Sequence, residues 1–392
     1  MSSLMRTRVA AAGSVAAFAL LTTTAAAAAH VHHHGRRHAH QASAQFTASV
    51  LVNGATITHP ISGGSEPVSR PDDITHLGDH IFVAFQNGIG AQGQPSTSGN
   101  TASTIVEFDR GGHELAQWDV TGKIDGLAAN PQTSGLIATV NEDGNSSLYT
   151  ISPQPGSMPV HYQYSVPLPS AGGTDAISVY NGTILISASA PGTSGAGAPQ
   201  ASYPAVYAVW LDESNDTAYV NGLFSDEAPA LVANANSPSY GTLQTLGLTD
   251  PDSNTVVPGY AQRFSGDFML NSQGDQQQIF YSSPWQPPSV LSLTRSVDDT
   301  AWPSGPNGEL LATDNAANEV IAVTGPFERG SEIAAVTPCD SNRAPATCPA
   351  PEFPSNYLGR INQFTGVITP LPVSGTSFQP QGLLFVPGSR TS

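Results

Sequence analysis

The chain has 392 residues and is poor in charge: 13 Lys+Arg stand against 30 Asp+Glu, a formal net charge of −17, and charged residues make up only 11% of the total. So acidic a surface repels nucleic acid and anionic lipid, and neither is expected as a partner. A single lysine, Lys123, leaves little room for lysine chemistry, and the surface must be covered mostly by Ser, Thr, Asn, Gln and Gly.

Residues 1–29 read as a secretory signal peptide. Arg6 and Arg8 form a basic start, Val9 to Leu21 is a short apolar run, and Ala27-Ala28-Ala29 is a small-residue cleavage site. No other apolar stretch approaches the ~20 residues a spanning helix needs, so an exported, secreted protein without a membrane span is expected. Residues 30–45 hold "HVHHHGRRHAH", which reads as a flexible, solvated tether; any metal bound there would be adventitious, because a flexible tract fixes no geometry. Residues 46–392 then form one domain.

Within that domain helical periodicity is nearly absent. Short runs of Val, Ile, Leu, Thr and Tyr alternate and are broken by Gly, Asn, Asp and Pro every ~8–12 residues, the signature of an all-β fold. An acidic anchor recurs: "PDDI" (71–74), "IDGL" (124–127), "TDAI" (174–177) and "VDDT" (297–300), with a weaker "PDSN" (251–254) and a last "PQGL" (380–383). Each of the first five is followed by a short apolar strand: "IFVAF" (81–85), "LIATV" (136–140), "TILIS" (183–187), "FML" (268–270) and "ELLAT" (309–313). A second repeat matches "TIVEFDRGGHELAQWDV" (104–120) to "YLGRINQFTGVITPLPV" (357–373).

A four-stranded unit of about 45–50 residues is the period of a β-propeller blade. Counting anchors predicts six blades, and dividing the long intervals differently allows seven. The strands in 47–61 and the final "PQGLLFVP" (380–387) are expected to share one blade and so close the ring, hiding both sheet edges. Stretches 226–247 and 325–356 are left over as insertions. The second contains Cys339 and Cys348, which in an exported chain read as a local disulfide.

On "PDDI", "IDGLAANP" and "PQGLLFVP" the chain resembles the NHL and SMP-30/gluconolactonase-like propellers over about residues 70–387. That resemblance implies a propeller, and in its metal-dependent members a divalent cation held by acids. The "DG-apolar" step of the family falls on Asp125, and its early acidic ligand falls near Asp72 and Asp73. Independently of the resemblance, the ring of anchor carboxylates offers oxygen ligands that suit calcium or magnesium, which makes Asp72, Asp125 and Asp175 the metal site to look for.

Propeller geometry places the anchor acids Asp72, Asp125, Asp175 and Asp298 at one end of the channel. The loops between second and third strands return to that same end. They include "NEDGNSS" (141–147), with Asn141, Glu142 and Asp143, and "DNAANE" (314–319), with Asp314 and Asn315. Asn, Asp and Gly in such loops serve positive φ and local bonds as readily as chemistry. Two readings of the acids compete: either they converge on a shared site, or each accepts backbone N–H bonds at its own blade junction.

A lyase-like site would call for a histidine on the loop face. His80 and His113 fall on turns at the other end, His161 on an outer strand, His76 near the end of the first inner strand and His59 in the closing segment. The sequence thus predicts a monomeric binding or scaffold module whose loop face takes a small molecule, a glycan or a protein. The competing reading is a metal-dependent hydrolase, lactonase or lyase that uses the channel acids. "NSS" (145–147), "NGT" (181–183) and "NDT" (215–217) also fit N-glycosylation sequons.

Overall fold

Strands form where the alternating runs predict them, and the burial of each follows from its place in a sheet. Gly135–Val140 is buried at every position, because other sheets cover both of its faces. Glu114–Thr121, at a sheet's outer edge, is exposed at half of its positions. The computed structural model describes residues 45–154, 156–169, 173–191, 202–337 and 355–388. The expected leader, nearly all of the tether and both cysteines lie outside them. Among the described residues the helical content is one 3-10 turn, Gly54–Thr56, and no helix is long and apolar enough to cross a membrane.

The first sheet is a four-stranded antiparallel meander of Pro71–Leu77, His80–Phe85, Ala102–Phe108 and Glu114–Thr121. The second repeats it with Ile124–Asn130, Gly135–Val140, Ser147–Ile151 and Val160–Tyr164, and the third with Ile177–Tyr180, Thr183–Ser187, Pro204–Asp212 and Thr217–Ser225. Parallel pairing of Gln163 with Thr217 joins the outer edges of these two into one eight-stranded sheet. The fourth has Pro251–Val256, Phe268–Ser272, Gln277–Tyr281 and Ser289–Ser292. Residues expected as an insertion extend it outward, since Pro229–Val232 pairs in parallel with Ser289–Ser292 and Leu243–Thr245 follows.

Two expectations are corrected at the C-terminal end. "ELLAT" does not pair with the "VDDT" strand. Ser296–Ala301 pairs instead with Glu332–Thr337, which sits in the stretch expected to be an insertion, and then come Tyr357–Ile361 and Ile368–Pro370. Gly308–Asp314 and Glu319–Thr324 belong to the closing sheet, where Leu383–Pro387 lies inside and Phe46–Asn53 outside. The chain thus leaves one sheet after its first strand, lays a hairpin into the next, and returns. Sequence adjacency hides this, because an inner strand followed by any apolar hairpin looks like one unit. The N-terminal segment also divides: Thr58–Ile61 leaves the closing sheet and pairs with Gly64–Pro67 as a separate ribbon.

The innermost strands Pro71–Leu77, Ile124–Asn130, Ile177–Tyr180, Pro251–Val256, Ser296–Ala301 and Leu383–Pro387 each touch the next, and the last touches the first. The result is a propeller-like ring around a channel. The apolar core lies in layers between neighbouring sheets. Alternate residues of one strand serve different layers: Ile81, Val83 and Phe85 pack toward the closing sheet, while Phe82 and Ala84 pack toward the second.

Candidate functional site at the channel mouth

Every anchor sits at the same place in its strand, just before the residue that starts the regular ladder. Ile74 pairs with Val83, Leu127 with Ala138, Ile177 with Ile186, Asn254 with Leu270 and Thr300 with Ala334. Two jobs fall to the residues before that point, and different atoms do them.

The first job is joining neighbouring sheets. Thr139 Oγ1 donates to the Asp175 carbonyl, Thr313 Oγ1 to the Asp72 carbonyl, and Ser187 Oγ to the Asp252 carbonyl at 2.7 Å. Asn271 Nδ2 reaches Ser253 Oγ at 2.7 Å, and that hydroxyl donates to the Asp298 carbonyl. The second acid of a "DD" pair does similar work. Asp73 accepts from the amides of Ile74 at 2.7 Å and Leu127 at 2.6 Å, and Asp299 from those of Thr300 and Leu383, both at 2.6 Å. Gly126, the "DG" step, is needed for the same joint: a Cβ there would meet Thr139 Oγ1 at 2.5 Å and the Asp175 carbonyl at 2.7 Å.

The second job is lining the channel, and the first acid of every anchor takes part in it, with Asp73 and Asp299 beside them. Asp72, Asp125, Asp175, Asp252 and Asp298, with Gln381 at the sixth position, line one cavity of about 590 Å³ together with Glu142 and Lys123. The anchors thus do both things between which the sequence left a choice. Main-chain carbonyls and second acids hold the junctions, which leaves the first carboxylates turned to the channel.

Lys123, dismissed from the sequence as too scarce to matter, is the cation of this mouth. Its Nζ lies 2.6 Å from Asp125 Oδ1 and pairs with Glu142. Burial works against the ammonium, but Asp125, Glu142 and Asp72 outweigh it and hold its pKa above the usual lysine value. Gln86 Nε2 donates to Asp72 Oδ2 at 2.8 Å and to Asp125 Oδ1 at 3.3 Å, and the Glu142 amide donates to Asp125 Oδ2 at 3.2 Å.

The opposite arc has no such support. The Asp175 side chain is buried, and no donor among the described residues serves its carboxylate. Asp252 and Asp298 lie close enough to influence each other's ionisation, and like charges so placed disfavour the doubly charged pair. Burial pushes Asp72, Asp125, Asp175 and Asp252 well above the usual carboxylate range, and takes Asp298 up to about 6.

The loop residues divide. Glu142 and Asn315 line the cavity, whereas Asn141, Asp143 and Asp314 do not. Asn141 has φ 68° and takes the Lys123 amide on Oδ1 at 3.0 Å while giving Nδ2 to the Asn145 carbonyl at 3.0 Å. Asp314 accepts from the amides of Ala317 at 2.9 Å and Gln379 at 2.8 Å. Asp143 is exposed. The stretch "NEDGNSS" is therefore a turn that contributes one side chain, Glu142. Lys123, Gln86, Asp252 and Gln381 were missed. Asp252 and Gln381 stood in the two weakest anchors, and the position of the lone lysine two residues before an anchor acid was the available signal for Lys123.

The calcium or magnesium set expected from the sequence does not fit this arrangement. An ammonium already stands against Asp125 and Glu142, and no group of three His, Cys, Asp or Glu side chains among the described residues is disposed to hold a metal. None of the described histidines lines the cavity. His59 is buried near Glu66 and Asp119, and His80 pairs with Glu107.

No protein-family model matches the chain, and no curated protein does. Solved structures are similar at the level of overall shape. A protein of unknown function from Bacteroides thetaiotaomicron is 9% identical, with 88% of this chain and 70% of that one covered and a TM-score of 0.44. A catalytically inactive virginiamycin B lyase from Staphylococcus aureus with quinupristin is 10% identical, with 88% and 96% covered and a TM-score of 0.40. The β-propeller domain of Cps50 (Swd1) from Myceliophteria thermophila is 12% identical, with 83% and 81% covered and a TM-score of 0.39. Likeness at this level says nothing about chemistry.

Proposed function

We propose that this protein is an exported, six-bladed propeller that binds a small molecule in its acid-lined channel mouth. One observation carries the reading: the first acid of five anchors lines a single cavity with Glu142, although the carbonyl junction bonds could have been made without those side chains. Carboxylates gathered at this cost in desolvation serve a ligand better than they serve stability. The blade count follows from taking each inner strand as the start of one blade, with the eight-stranded sheet as two blades fused at their rims. Export rests on the character of residues 1–29, and N-terminal sequencing of protein recovered from culture medium tests it. For the site, a small-molecule library is screened by thermal shift against the wild type and Asp125→Asn. Compounds that raise the melting temperature of the wild type alone are expected, and a library with no such compound defeats the reading.

A second reading is favoured by the Asp252–Asp298 pair. Two neighbouring buried carboxyl groups, one with its pKa raised by burial to about 6, can give and take protons near neutrality. The channel would then host metal-free acid–base hydrolysis or elimination. Turnover on a lactone and ester panel that falls at least 100-fold in Asp298→Asn is the expected sign, and an inactive wild type removes this reading.

A further inference from the structure

We infer that the ligand of this mouth is a primary alkylammonium compound, its ammonium group seated against Asp175, Asp252 and Asp298 and its hydrocarbon part in the channel below. This deepens the binding reading and rests on it. The mouth is asymmetric. Lys123 and Gln86 serve Asp125 and Asp72 on one side, whereas among the described residues no donor reaches the carboxyl groups of Asp175, Asp252 and Asp298 on the other. Carboxyl groups without a protein donor that open onto a cavity fit a group that brings donors and positive charge together. An –NH₃⁺ group carries three donors and no acceptor, so it can serve Asp175 and an adjacent carboxyl of the arc without all three converging on one point.

The rest of the cavity chooses between an organic cation and a bare ion. Among the described residues no three acids have metal-site spacing. Beyond the acids, Ala128, Ala129, Val179, Val256 and Leu384 line the walls in alternation with Thr75, Ser178 and Thr255. A short hydrocarbon chain can shed water against the apolar members of this lining, while a hydrated ion gains nothing from them. The cavity, at about 590 Å³, lies within the size range of small-molecule sites.

The test is isothermal titration of the full chain at pH 7 with hexylammonium chloride, with hexanol as the neutral analogue and calcium chloride as the inorganic cation. Saturable one-to-one binding of hexylammonium is expected, weakened at least 10-fold in Asp175→Asn and by less than threefold in Glu66→Gln, which lies outside the cavity. Asp252→Asn is the second arc variant, and circular dichroism checks that each variant is folded. Three results overturn the inference: no saturable binding to the wild type, binding that both arc variants leave unchanged, or hexanol bound as tightly as hexylammonium. Calcium binding lost in Asp175→Asn, with no hexylammonium binding, makes the arc a metal site instead. If hexylammonium fails while library compounds still discriminate wild type from Asp125→Asn, the ligand class falls and the binding site stands; if both fail, both fall.

Discussion

Lys123 shows how far one side chain can matter in a mouth this crowded with acids. With a nearly buried partner 2.6 Å away, its removal leaves Asp125 without a counter-charge, so the carboxyl must stay ionised at a cost or take up a proton. Breaking a buried pair from one side costs about 3–5 kcal/mol. Lys123→Met is therefore expected to lose about that much stability at pH 8 by urea denaturation. The loss should shrink toward pH 5, because Asp125 then takes up a proton and the orphaned charge disappears. A deficit independent of pH would mean that the lysine acts through packing alone.

At the scale of the element, the repeated unit is a joint rather than a strand. Thr139, Ser187 and Thr313 each reach a carbonyl of the neighbouring sheet from the same position of a second strand. The glycine of "IDGL" exists to let that joint close. Gly126→Ala forces a methyl into the Thr139 hydroxyl and the Asp175 carbonyl, and overpacking of this kind costs about 1–3 kcal/mol. Gly247→Ala, with nothing within 4 Å of the added carbon, is the control and should leave the urea midpoint nearly unchanged. Equal losses in the two variants would show that the "DG" glycine has no special place in the joint.

At the scale of the whole molecule, ring closure and pH are the global variables. Phe46 on the N-terminal strand stacks edge-on against Phe327 at 5.0 Å, and Phe327 against Phe385 of the C-terminal strand at 5.3 Å. Phe46→Ala should cost about 3–5 kcal/mol and broaden the thermal transition, as the closing sheet loosens at both chain ends. For pH, burial raises Asp73 to about 8, Asp299 to about 7 and Glu332 to about 8 from ordinary values of 3.8, 3.8 and 4.5. A carboxyl group whose folded pKa exceeds its unfolded one holds more protons when folded, so stability falls as pH rises between the two values. Urea midpoints should thus be higher at pH 5 than at pH 8.5. Glu332→Gln, which keeps an amide oxygen to accept from Gln278 Nε2, should flatten part of the fall. A midpoint that climbs from pH 5 to 8.5 would contradict the burial of these acids.

The all-β class, the anchor register, the pairing of 104–120 and 357–373 as third and fourth strands, and the face shared by acids and loops were legible in the sequence, because they are local. Period-two alternation, turn residues and repeated spacing act over a few neighbours along the chain. Strand exchange at 308–324 was not legible, since an apolar hairpin pairs equally well with whichever sheet edge lies beside it. Nor was the division of labour within each anchor. Whether a carboxylate meets a backbone amide, a lysine or open channel depends on residues brought from the neighbouring sheet, and only the closed ring puts them there.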